Sequence, residues 1–117
     1  MVSHKTQAEG RWFKLDLANQ LGNIGSEVDR VKKWQEKNNA DYAEKSFWRA
    51  LELIDLTRKD PRWKGAKNKE IGRLREVFCD TVINDSQLYN TPIEYFQKYF
   101  MDFAMVARRQ HLEKGQS

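Results

Sequence analysis

The chain has 117 residues, 39% of them hydrophobic, with a formal net charge of +4 and a mean hydropathy of −0.87. That length fits one domain with a core of ordinary size, and no apolar run approaches the roughly 20 residues a membrane-crossing helix needs. A single cysteine, Cys79, excludes an internal disulfide and a cysteine-based metal cluster.

Residues 1–10, MVSHKTQAEG, read as a flexible leader without an apolar signal region, so the expected location is the cytoplasm. The expected domain spans 11–113, followed by a tail at 114–117. In the first helix, Leu15 to Lys37, apolar residues fall at Leu17, Leu21, Ile24, Val28 and Val31. Steps of three and four give one apolar stripe on an amphipathic helix. Two glycines, Gly22 and Gly25, interrupt it, each at a cost of roughly 1 kcal/mol relative to alanine. On the helical wheel they align with Ala18 and Asp29 beside the apolar stripe. Such a strip admits another backbone closely, or leaves a groove in which a ligand meets exposed main chain.

"NNAD" then breaks the chain and opens a second helix, Asp41 to Arg58. Ala43, Phe47, Ala50 and Ile54 share one face, with Tyr42, Leu53 and Leu56 opposite. A helix apolar on two sides is central or part of an interface. "KDPRWKG" ends it. The third helix, Asn68 to Ile83, carries Ile71, Leu74, Phe78 and Val82 in register, and "NDSQLYN" follows as a loop. The fourth has the sharpest start, Thr91-Pro92-Ile93-Glu94, a capping box with proline at the first helical position. Phe96, Phe100, Phe103 and Ala107 form its stripe, while Met101, Met105 and Leu112 lie on the other side. Four helices joined by short polar connections predict an all-α fold, an antiparallel four-helix bundle.

No complete catalytic set is present, which favours a non-enzymatic role over an enzyme and leaves the choice open. Glu52 and Asp55 in "ELID", with Glu76 and Asp80 one turn apart on the third helix, are the acidic pairs that could hold Mg²⁺ through oxygen ligands. "ELID" resembles the second half of the acidic signature of all-α nucleotide pyrophosphohydrolases. The first half, two glutamates three apart, is replaced by Gln20, Asn23 and Glu27. Salt bridges to Arg49, Arg73 and Arg75 account for the same acids. The two histidines, His4 and His111, lack the Glu-x-x-His spacing of a di-iron bundle. Cys79 lies among apolar neighbours, as a core thiol does. Four tryptophans stand beside cations and either stack on bases or close the flanks of the bundle with the indole N–H near water.

The segments "GRW", "LANQLGNIGSEVDRV", "RALELIDLT" and "YFQKYFMDFA" together resemble a family of small cytosolic helical proteins from bacteria and archaea that has no assigned activity. The likeness spans nearly the whole chain after residue 10. It implies a cytoplasmic location and transfers no functional residue.

The expected function is a helical interaction module without a cofactor, acting by homodimerisation or protein binding. Its interface is drawn from Tyr42, Leu53, Leu56, Met101, Met105 and Leu112. The alternatives are a Mg²⁺-dependent nucleotide-binding or nucleotide-hydrolysing protein, and a weak nucleic-acid binder. Cations interleave with 17 acids in the chain, which weakens the last reading.

Overall fold

The computed structural model describes residues 10–83 and 93–115. After helical residues 10–12 come four long helices: α1 (Leu17–Glu36), α2 (Ala40–Lys59), α3 (Ala66–Ile83) and α4 (Ile93–Gly115). The fold is all-α, with no strand among the described residues.

Local chemistry sets the helix ends. Asp16 caps α1, its carboxylate accepting from the Asn19 N–H at 2.8 Å. The chain leaves α1 through Asn38 at φ +57°, a left-handed position that asparagine tolerates better than most side chains. Asn39 then caps α2, accepting from the Tyr42 N–H at 3.1 Å. Gly65 precedes α3 at φ +75°, where a side chain would be strained. Thr91 and Pro92 of the expected capping box lie outside the described residues, as do residues 1–9 of the leader and the 84–90 loop. Glu94 stands in the first turn of α4, 3.3 Å from Lys32 on α1.

The stripe of α1 is buried from Leu17 to Val31, and α1 packs most extensively against α2 and α4. Contacts along α1 and α4 run in opposite senses: Lys32 meets Glu94, Asp29 meets Gln97 and Gly25 meets Phe100. α3 joins α2 to α4 through a run of rings. Phe78 lies 5.3 Å from Phe47 and 5.4 Å from Phe96, centroid to centroid. All three are buried.

One expectation is corrected. Leu53 and Leu56 are only 5% and 6% exposed and belong to the hydrophobic core. α2 packs on both α1 and α3, so its second apolar side is consumed inside the chain instead of facing a partner.

Candidate functional site: the groove between α1 and α4

The strip of small residues on α1 forms one wall of a groove of about 770 Å³. Ala18, Gly22, Gly25, Ser26 and Asp29 face Gln97, Phe100, Met101, Ala104, Met105 and Arg108 of α4. The two glycines do different things. A methyl group on Gly25 would lie 3.4 Å from the Phe100 Cβ, so α4 packs over this position with room for a methyl group and no more. Above Gly22 there is nothing within 4 Å, and the groove is open there. Asp29 closes one end of the contact, its carboxylate accepting from the Gln97 side-chain amide at 2.6 Å. Asn23 and Ser26 turn their side chains back onto the carbonyls of Asn19 and Gly22 within α1.

Of the expected interface residues, Met101 and Met105 stand 64% and 58% exposed on the rim of this groove. Tyr42 is also exposed, at the start of α2, where its ring meets Trp34 at 4.8 Å. The side chain of Leu112 lies outside the described residues. Tyr95 and Val106 add exposed apolar surface to α4. The α4 wall was detectable in part: Ala104 follows Phe100 by four residues, a small position in register with the buried stripe. That it faces Gly22 and Ala18 depends on the tertiary contact alone.

The acidic candidates are distributed over the surface of α2 and along α3. Glu52 is exposed and paired with Arg49 at 3.3 Å, and Asp55 binds Arg75 at 2.7 Å. Glu76 is exposed and Asp80 is buried. Among the described residues no three histidine, cysteine, aspartate or glutamate side chains gather into a group that could hold a metal ion. Cys79 is half-buried beside Arg75, and burial pushes its thiol pKa up despite the nearby guanidinium.

A buried polar network at the other edge of α1 was not foreseen. Gln20 donates to the Trp12 carbonyl and to the Asp60 carboxylate, both at 3.0 Å, and accepts from the Trp63 indole at 2.7 Å. Trp12 donates to Thr57 at 2.9 Å. The Arg62 guanidinium reaches Asp60 at 2.6 Å and the Leu15 carbonyl at the same distance. Burial of Asp60 acts to raise its pKa, but the side chain and backbone N–H of Arg62, with the Gln20 amide, outweigh burial and hold it below the ordinary value. Every buried side-chain nitrogen and oxygen among the described residues has a partner. Gln20 therefore serves to fasten the N-terminal segment to the α2–α3 connection. A signal was present in the sequence: Gln20 stands three residues after Leu17 and four before Ile24, a polar side chain in an apolar register.

The tryptophans also find their places. Trp12 is buried and Trp63 half-buried in the network, Trp34 packs on Tyr42, and Trp48 is exposed with its indole N–H donated to Glu44. Compared with protein families, characterised proteins and solved structures, the chain matches none of them. Among the described residues, no helix is long and apolar enough to cross a membrane.

Proposed function

We propose that the protein is a non-enzymatic helical interaction module of the cytoplasm, an antiparallel four-helix bundle that pairs with a second copy of itself across the α1/α4 groove. One observation carries this reading: exposed Met101 and Met105 rise beside the open space over Gly22, so projections and a hollow share one surface. A two-fold interface needs that self-complementarity, because the same patch serves both subunits. Asp29 lies towards one end of the groove and Arg108 at the other, while Glu94 is already paired with Lys32. Two copies placed antiparallel bring those unlike charges together.

Sedimentation equilibrium across micromolar concentrations tests the reading. The wild-type chain should approach twice its 13.9 kDa mass as concentration rises. M101K/M105K should remain monomeric, with the melting temperature of the dilute wild-type monomer and without its rise at higher concentration. A wild-type protein that stays monomeric throughout overturns the proposal. The competing nucleotide reading requires Asp55 to leave Arg75, and a melting temperature raised by a nucleotide with Mg²⁺ would favour it instead.

A further inference from the structure

The positive charge of this protein is concentrated at one end. Residues 58–70 hold six cations, Arg58, Lys59, Arg62, Lys64, Lys67 and Lys69, against Asp60 and Glu70. Residues 11–16 add Arg11 and Lys14 against Asp16, and they are fastened to the same place by Trp12 on Thr57 and by Arg62 on the Leu15 carbonyl. Eight cations against three acids leave a surplus of five, more than the +4 of the entire chain. The remaining residues carry a slight negative balance, so the interleaving of charges along the sequence conceals a polarised molecule.

All three acids accept hydrogen bonds, and Asp60 among them is buried. Asp16 caps α1, Asp60 is buried under Arg62 and Gln20, and Glu70 accepts from the Tyr99 hydroxyl. Arg62 pairs with Asp60 and Arg58 donates to Asn68, while Lys14, Lys64, Lys67 and Lys69 are exposed. α3 begins in the middle of this surface at Ala66, and the N–H groups of a helix's first turn add partial positive charge. Trp63 lies at the centre, with the Arg62 guanidinium 4.7 Å and the Lys67 ammonium 5.4 Å from its ring.

We propose that this basic end, centred on residues 58–69, docks the phosphate backbone of a nucleic acid. The chemistry is that of a charged surface that tracks phosphates without reading bases. An anionic bilayer is the other extended polyanion, but surface-bound helices hold to it by burying a large apolar face. Here Trp63 is half-buried with its indole tied to Gln20. This surface is separate from the α1/α4 groove, and it does not depend on dimer formation.

The test uses the full-length protein and a labelled oligouridylate, with anisotropy followed as salt rises from about 50 to 200 mM. Wild-type binding should weaken steeply with salt. K64E/K67E/K69E should lose at least about tenfold in affinity and about 2 from the slope of log affinity on log salt. K33E/K37E/K45E makes the same charge change at the α1–α2 turn, a helix length of roughly 30 Å away. It should cost no more than about twofold, because screening sets in at about 10 Å. Circular dichroism checks the fold of each variant, and K64Q/K67Q/K69Q repeats the measurement without charge reversal. Equal losses in the two reversed triples, salt-independent binding, or no binding at the lowest salt each overturn the proposal. So does binding to phosphatidylserine vesicles with none to the oligonucleotide.

Discussion

Asp60 shows how a single charged residue can be placed at the centre of a helical protein's stability. It ends α2, yet it is almost completely buried, with Arg62, Gln20 and its own turn satisfying the carboxylate. D60N should therefore lower stability by about 2–3 kcal/mol, as expected for hydrogen bonds to a charged group. At this length that is about 4 °C in Tm for each kcal/mol, measurable by calorimetry. Arg62 is partly exposed, which keeps the loss below that of a fully buried pair. Because the pKa of Asp60 is held below its ordinary 3.8 in the folded chain, the unfolded chain binds the proton more readily. The contribution is thus fully present above about pH 4 and is lost as pH falls through the folded value. Chemical denaturation from pH 6 down to 3 should show a shallower acid loss in D60N than in the wild type.

The two glycines separate at the same scale. G22A adds a methyl group to open space and should gain about 0.5–1 kcal/mol from helix propensity. G25A meets Phe100 at ordinary contact distance and should be close to neutral. G25L, by contrast, should force α4 away and lower Tm by several degrees. A G25L protein as stable as the wild type would show that α4 does not rest on Gly25.

At the scale of the element, much was legible. The i, i+3, i+4 spacing of Leu17, Leu21, Ile24, Val28 and Val31 is a direct consequence of helix geometry, and all five are buried. The ends of α2 and α3 fall within two residues of expectation, since they are marked by Asn39, Pro61 and Gly65. Asp16 as the cap of α1 was not anticipated, although an aspartate just before the first buried leucine carries that information. The second apolar side of α2 was visible in the sequence, but its destination was not. Periodicity reports that a face avoids water, not which neighbour covers it. The junction of α2, α3 and α4 depends on Phe78, whose ring touches both Phe47 and Phe96. F78A should cost about 3–5 kcal/mol, read from urea denaturation, because three helices cannot all relax into the space left behind.

For the whole molecule, two surfaces follow from the way the helices are assembled. The α1/α4 groove has Met101 and Met105 at its rim, and G22L offers a second check on pairing through it. Filling the hollow over Gly22 with a larger side chain should raise the dimer dissociation constant at least about tenfold without lowering the Tm of the dilute monomer, in line with removing a well-packed contact. A dimer indifferent to both G22L and M101K/M105K would use another surface. The charged end is a different kind of property. Lys64, Lys67 and Lys69 are neighbours in sequence, and Lys14 joins them because the Trp12–Thr57 and Gln20–Asp60 contacts bring residues 11–16 onto the α2–α3 connection.

What the sequence by itself determined is the helical character of the chain, the buried face of each helix and most of their ends. These depend on neighbours within a few residues, where side-chain periodicity, capping and glycine geometry act. Tertiary structure alone decided that Leu53 and Leu56 turn inward, that Gly25 sits under Phe100 while Gly22 stays open, and that Gln20 secures three segments. It also decided that interleaved charges separate towards one end. The contacts that decide them, Gly25 with Phe100 and Gln20 with Asp60 and Trp63, join residues 40 or more positions apart. Their energies come from burial and hydrogen bonding between elements, which no local pattern encodes.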